Sequence, residues 1–212
     1  MPAPYTDWEY KGSHAVALAA QKLLAARPRP SALSPYIFMT DPQRVPDPVT
    51  TVRALPDGIT IIYRHFGKNG HGALAETLRE ITTAKNQQFL IGHDPELASA
   101  IGANGVHFRR DADVLAPRLW REKRPDWIIS MAGLKGEQTY HRSLEVLDGL
   151  LVSSVFYSKS PSAGDPIGVD RFTEISRKLP VPVFALGGVK ATNADELVGS
   201  GAAGVAGIDG LI

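Results

Sequence analysis

Cysteine is absent from the 212 residues of the chain. Disulfides, thiolate nucleophiles and cysteine-bound metals are therefore excluded. An excess of either charge is missing too: 23 lysines and arginines stand against 22 aspartates and glutamates, a formal net charge of +1. No bulk field draws such a chain to nucleic acid or to an anionic membrane. No apolar run reaches the ~18 residues that mark a membrane-spanning helix. The opening residues 1–9 carry neither the basic region nor the apolar core of a secretory signal. These absences predict a cytoplasmic protein with no membrane and no nucleic-acid partner.

What is present is ordinary in bulk and informative in order. Hydrophobic residues make up 43% and charged residues 21%, which suits one soluble α/β domain with a sizeable core. Residues 14–26 place Val16, Leu18, Ala19, Leu23 and Leu24 at amphipathic-helix spacing, and Arg27-Pro28-Arg29-Pro30 stops that helix. Tyr36-Ile37-Phe38-Met39, bounded by Pro35 and Asp41-Pro42, reads as a first strand. From there strands are expected over 58–65, 88–92, 105–108, 127–131 and 150–156. Helices are expected over 49–55, 73–83, 95–101, 112–123, 136–147 and 170–179. Two further apolar runs, Pro182 to Val189 and Gly201 to Ile208, enclose a short helix over 192–198 with Thr192 or Asn193 as its cap. Eight strands alternating with helices predict an α/β fold, a single (β/α)8 TIM barrel over residues 34–212. Residues 1–33 form an N-terminal helical extension. A doubly wound open sheet is the structural alternative. The extension has two readings as well: it covers the barrel, or it meets a second copy in a homo-oligomer.

The last two strands both end in glycine, Gly187-Gly188 and Gly207. Glycine lets backbone approach a ligand, and the barrel fold commonly binds phosphate after its seventh and eighth strands. The glycines are thus either simple turns or a phosphate cradle, and their tandem placement favours the cradle. At other strand ends stand Arg64, an ion-pair partner or an anion clamp, and three histidines. His65, His93 and His107 each read as structural. A transition-metal cluster of the three is the alternative, with no ligand spacing on one element to support it. His107 is expected in the lower packing of the barrel. Lys159, between Ser158 and Ser160, is a solvated loop lysine or an anion contact. Arg109-Arg110 and residues 121–124 are short charge clusters on solvated faces.

Three segments carry a resemblance: Gly102-Ala103-Asn104-Gly105-Val106-His107, the run from Val155-Phe156 to Pro166-Ile167-Gly168, and Pro182 to Val189. In order and spacing they resemble the thiamine-phosphate synthase family, whose barrel the thiazole tautomerases share. The resemblance covers residues 34–212. It implies a transferase of thiamine biosynthesis. Such an enzyme joins a hydroxymethylpyrimidine diphosphate to a thiazole phosphate, releasing pyrophosphate, with Mg²⁺ assisting. It implies that Gly187, Gly188, Gly207 and Ile208 hold a phosphorylated small molecule. Arg64 stands at the family's arginine, and Lys68 and Lys159 would join it on the diphosphate, with Ser158 and Ser160 in the substrate loop. Asp94, Asp111 and Asp113 are the carboxylates nearest the family's metal positions, which His93 and Ala112 occupy here. Ile62 and Phe66 replace a glutamine and a lysine, Ala132-Gly133-Leu134 replaces a serine motif followed by histidine, and Asp209 follows Ile208 at a usually neutral or basic position. Asp209 is expected to cap the last helix or to compete with phosphate. These departures leave two other readings: a non-catalytic or regulatory barrel that binds a phosphate ligand, and an isomerase on the same scaffold.

Overall fold

A computed structural model describes residues 11–26, 29–67, 69–113, 115–133, 144–160 and 163–211 of the chain. Helix α1 (Lys11–Ala26) precedes strand β1 (Tyr36–Met39) and α2 (Pro48–Ala54). The alternation then runs β2 (Thr60–Tyr63), α3 (His71–Ala84), β3 (Gln88–Gly92), α4 (Pro95–Ala100), β4 (Gly105–Phe108), α5 (Ala116–Lys123), β5 (Ile128–Gly133) and β6 (Gly149–Val152). It ends with α6 (Gly168–Lys178), β7 (Val183–Leu186) and β8 (Gly204–Gly207). All strands are parallel, and β8 pairs with β1 through Tyr36↔Val205, Ile37↔Ala206 and Phe38↔Gly207. That pairing closes the barrel and removes the open-sheet alternative.

Most strand residues are apolar on both faces because one face fills the barrel and the other meets the helices, with Thr60, His107 and Ser130 as buried polar members. Ile37, Met39, Ile62, Leu90, Leu151, Phe184 and Ala206 pack inside. Their neighbours Phe38, Ile61, Phe89, Leu150, Ala185 and Val205 belong to the outer core. The N-terminal end is plugged by polar and apolar groups together. Leu33 is buried there, Thr60 Oγ1 donates to Gln88 Oε1 at 2.6 Å, and Gln88 Nε2 donates to the Ala32 carbonyl at 2.6 Å. The C-terminal ends of the strands are left to form a mouth.

Several elements differ from expectation for local reasons. Helix α5 starts at Ala116 rather than 112, because Ala112 N–H closes a turn on Arg109 and Asp113 Oδ1 takes the Leu115 N–H. Strand β6 stops at Val152, although Val155 and Phe156 still donate to the Leu186 and Gly187 carbonyls. The helix expected over 192–198 is a short 3-10 turn, Ala194–Leu197. Asn193 sits at its N-cap but spends its side-chain oxygen on the Lys190 N–H. Of the helix expected over 136–147, residues 134–143 lie outside the described residues, and Leu144–Val146 is a 3-10 turn.

The extension covers the barrel. Among the described residues β8 is followed by only a three-residue 3-10 turn, Asp209–Leu211. Helix α1 packs on that turn, on β8 and on β1. Val16, Ala17, Ala19, Ala20 and Leu23 are buried there, while Leu18 and Leu24 stay exposed. Lys22 Nζ reaches Asp195 at 2.8 Å, but both side chains are more than half exposed. Apolar burial, not the ion pair, therefore holds α1. Leu23→Ala is expected to lower stability by about 2–5 kcal/mol in urea unfolding. Lys22→Ala is expected to change it by less than about 1 kcal/mol.

Candidate functional site

The inside–outside alternation of β2 continues past its end. Ile62 points in and Tyr63 out, so Arg64 turns toward the mouth and His65 toward the flank. Gly92, at the end of β3, makes the room: a Cβ there would lie 3.0 Å from Arg64 Cγ. The arginine is tightly held. Its backbone N–H donates to Thr40 Oγ1 at 2.9 Å, Nε donates to the Thr40 carbonyl at 2.7 Å, and Nη2 donates to Asp41 Oδ2 at 3.2 Å. The Phe66 ring lies 5.3 Å from the guanidinium carbon. Burial lowers the Arg64 pKa and the Asp41 carboxylate opposes that, and a guanidinium remains charged throughout.

Beside Arg64, His107 on β4 is level with Gly92 and Ser130 in the strand register. It is buried, with Nδ1 2.9 Å from Ser130 Oγ. The lower-barrel position expected for it is therefore corrected: it lies just beneath the mouth. Burial, and then the positive charge of Arg64 and the neighbouring His93, push its pKa down to about 3, so it is neutral at physiological pH.

The two glycine turns meet. Gly187 and Gly188 take φ values of +90° and +69°, which glycine adopts without strain. A Cβ on Gly188 would lie 2.3 Å from the Tyr157 carbonyl oxygen, and one on Gly210 would lie 2.2 Å from the Val189 carbonyl oxygen. The turn after β8 thus packs directly on the turn after β7, and the turn after β7 on the loop after β6. The Gly187 carbonyl accepts from Phe156 and the Gly188 carbonyl from Asn193 Nδ2. Among the described residues, no backbone hydrogen bond uses the Gly187 or Gly188 N–H. Gly207 is the last residue of β8, and Ile208 packs on both the inner and outer cores. Asp209 neither caps a helix nor faces the glycine amides through a hydrogen bond. Its Oδ2 instead accepts from Arg44 Nε at 2.9 Å and Nη2 at 2.6 Å. That pair joins the loop after β1 to the turn after β8 and matches the charge that would compete with an anion.

The loop after β6 carries Ser158, Lys159 and Ser160 on the same C-terminal face, next to Gly188. Ser158 Oγ accepts the Ser160 N–H at 3.3 Å, and Lys159 is exposed. Lys68 lies outside the described residues. The three carboxylates expected near a metal are separately engaged. Asp94 Oδ1 caps α4 through the Leu97 N–H at 2.9 Å, Asp111 pairs with Arg109 at 3.3 Å, and Asp113 accepts from Leu115 at 2.8 Å. Among the described residues, the metal-ligating side chains that do converge are His65, His71 and Asp94, with ligand atoms within 4.8 Å of one another. Mg²⁺ prefers an octahedron of hard oxygens, and a set of two imidazoles and one carboxylate does not fit it. His93 and His107 are not in this cluster. His71 had no part in the sequence reading. The available signal was a second histidine six residues after His65, across the glycine-bearing turn 66–70.

Fold and mouth define the class: a (β/α)8 barrel whose last two strand–turn units meet at the C-terminal face, with a partly buried, fixed cation at the end of β2. The family model described as Thiamine monophosphate synthase matches residues 37–211, and the chain belongs to that family. It is 33% identical over 141 residues to the thiamine-phosphate synthase of Roseiflexus castenholzii, a match covering 66% of this chain and 61% of that protein. Against thiamine-phosphate synthase 1 of Streptococcus pneumoniae it is 30% identical over 162 residues, covering 72% and 76%. The fold of thiamine phosphate pyrophosphorylase from Pyrococcus furiosus superposes with a TM-score of 0.66 at 24% identity, over 83% of this chain and 88% of that one.

The position of His107 sets a pH dependence. Unfolded, it takes a proton near its ordinary pKa of about 6.5; folded, it stays neutral down to about pH 3. Between those values the unfolded chain binds more protons, so stability falls on acidification, by up to about 1.4 kcal/mol per pH unit. In His107→Gln that contribution is gone. Urea midpoints measured between neutral pH and about pH 4 are expected to fall less steeply than in the wild type.

Proposed function

We propose that the chain catalyses the coupling characteristic of its family: a hydroxymethylpyrimidine diphosphate and a thiazole phosphate give thiamine phosphate and pyrophosphate. The observation that carries this reading is the apposition of the two glycine turns at the mouth, with the Arg64 guanidinium fixed inside the same mouth. Gly187, Gly188, Gly207 and Ile208 would receive the thiazole phosphate on backbone N–H groups, where a tight turn brings peptide dipoles up to an anion. Arg64 would hold the diphosphate, joined by Lys159 and Lys68, with Ser158 and Ser160 lining the loop.

The chemistry is loss of the diphosphate from the pyrimidine methylene carbon, followed by attack of the thiazole nitrogen on the resulting cation. The C–O bond breaks with its electron pair going to pyrophosphate, and the new C–N bond forms with the nitrogen lone pair. Positive groups that are already oriented stabilise the leaving group without reorganising, and the bonds to Thr40 and Asp41 supply that orientation for Arg64. The neutral His107 adds no competing charge beneath it. No step runs through Mg²⁺, because among the described residues Asp94, Asp111 and Asp113 do not converge on one point.

A second reading, a barrel that binds the phosphate ligand without turnover, is favoured by one specific feature. Ile62 is buried in the inner core and Phe66 is exposed, at positions where the family pattern has polar groups for the diphosphate. A coupling assay with both substrates, run with and without divalent metals beside a thermal-shift titration of each ligand, separates the two. Thiamine phosphate formation that drops by about 100-fold or more in Arg64→Ala is the expected result, about 3 kcal/mol of lost transition-state stabilisation. Stabilisation by thiazole phosphate without product under any metal would establish the binding barrel instead. Gly188→Ala is expected to abolish the thermal shift from thiazole phosphate, since its Cβ would meet the Tyr157 carbonyl in a backbone region that alanine disfavours.

A further inference from the structure

On the outer side of the mouth, away from the glycine turns, the turn between β2 and α3 brings two histidines against the cap of α4. His65 faces the flank for the same reason that Arg64 faces the mouth: the strand period is two. Its ring lies over His71, centroids 4.3 Å apart and planes within 11°. Its Nε2 is 3.3 Å from Asp94 Oδ2. That nitrogen is buried yet makes no hydrogen bond. Nδ1 accepts the Gly67 N–H at 3.0 Å, so the proton of the neutral ring sits on Nε2, facing the Asp94 carboxylate at 3.3 Å without a well-formed hydrogen bond. A buried polar group left in that state calls for an explanation.

We infer that His65, His71 and Asp94 form a binding site for a divalent transition metal, with Zn²⁺ as the natural class. Two imidazoles and one carboxylate are the donor set such ions favour, and three protein ligands leave a coordination position open. Asp94 is oriented for it: Oδ1 is fixed by the Leu97 N–H, which leaves Oδ2 directed at the histidines. His65 and His71 both line a cavity of about 170 Å³ that Thr40, Asp41, Tyr63 and Arg64 complete. The open position therefore faces a space large enough for water or an anionic oxygen.

Loading the site has a structural consequence. Ligation through His65 Nε2 moves the ring proton to Nδ1, so the Gly67 N–H bond is given up. The stacked rings must also part, because in-plane lone pairs of parallel rings do not converge on one ion. The turn has room for both changes. Gly67, Gly70 and Gly72 have no atom within 4 Å of a Cβ position, and His71 is the first residue of its helix. The ion would tie the turn after β2 to the first turn of α4. The site borders a cavity that Arg64 also lines, but its three ligands are not the residues assigned to the coupling reaction.

The test is Co²⁺ and Zn²⁺ binding to the purified full-length chain after chelator treatment, followed by isothermal titration and by the visible absorption of Co²⁺. One equivalent is expected, with a d–d spectrum of low coordination number and no competition from excess Mg²⁺. His65→Ala and His71→Asn should each weaken binding by at least about 100-fold, more than the ~10–100-fold that losing an outer partner costs. Thermal melting of each variant checks that the fold is kept. Arg64→Ala, which would end coupling, and His93→Ala should both retain the one equivalent. No binding by the wild type, displacement by Mg²⁺, or loss of binding in His93→Ala with retention in His71→Asn would each overturn the assignment.

Discussion

Closure of the barrel is the constraint on which both the fold and the site depend. Once β8 pairs with β1, every strand has a face inside and a face outside, and the direction of each side chain past a strand end is decided by parity. At the end of β2 this divides two neighbours. Arg64 enters the mouth and His65 goes to the flank, so neighbouring residues of one dipeptide face different surroundings. A slip of one residue in the β2 register would exchange them, and with them the whole of Ile61 and Ile62 packing. The positions of the charged groups are therefore guaranteed by the burial of apolar ones.

The electrostatics of the mouth follow from the same geometry. A guanidinium taken into a barrel needs acceptors, and Arg64 finds them on the first loop, in the Thr40 carbonyl and the Asp41 carboxylate. That arrangement holds the charge in place while leaving it only partly compensated. His107, in the same layer, is held neutral by burial and by this cation. A protonated imidazole there would add a second buried charge with no carboxylate bonded to it. At this level of the mouth Arg64 is thus a permanent positive group and His107 is not, with the backbone amides of the glycine turns as further electropositive elements.

Much of this was legible in the sequence. Alternating apolar runs and helical spacing place the strands, and β3 and β4 fall on the expected residues because glycine or a polar turn bounds each of them closely. The glycine pair after β7 was legible as a turn for a related reason: Gly187 and Gly188 take the positive φ that glycine adopts without strain. Side-chain partnerships between distant residues were not. Nothing in the local sequence of Asp94 says that one oxygen caps α4 while the other faces His65, and nothing in the local sequence of His65 says that the ring of His71 stacks on it. The carboxylates Asp111 and Asp113 looked like metal ligands by position along the chain. Locally they serve Arg109 and the Leu115 N–H, a use that competes with any ligand and that spacing alone does not reveal.

The pairing of Arg44 with Asp209 shows why a departure from a family pattern cannot be judged at one position. Read alone, a carboxylate after Ile208 opposes an anion at the glycine turns. In the folded chain its Oδ2 accepts two N–H groups from Arg44, 165 residues earlier. The pair is half exposed on the aspartate side, so its contribution to stability is small, within about 1 kcal/mol. Its effect on the site is larger than its effect on the fold. It offsets the negative charge at the end of β8 and draws the loop after β1 toward that turn, the same loop whose Thr40 and Asp41 hold Arg64. The loop after β1 therefore serves both sides of the mouth at once. On one side it orients the partly buried Arg64, and on the other it neutralises the acid beside the glycine turns. The two sequence departures that look most damaging to anion binding, a missing lysine at Phe66 and an added acid at Asp209, are thus not equivalent: the second is compensated within the chain by Arg44, whereas the exposed Phe66 ring brings no charge to replace the first.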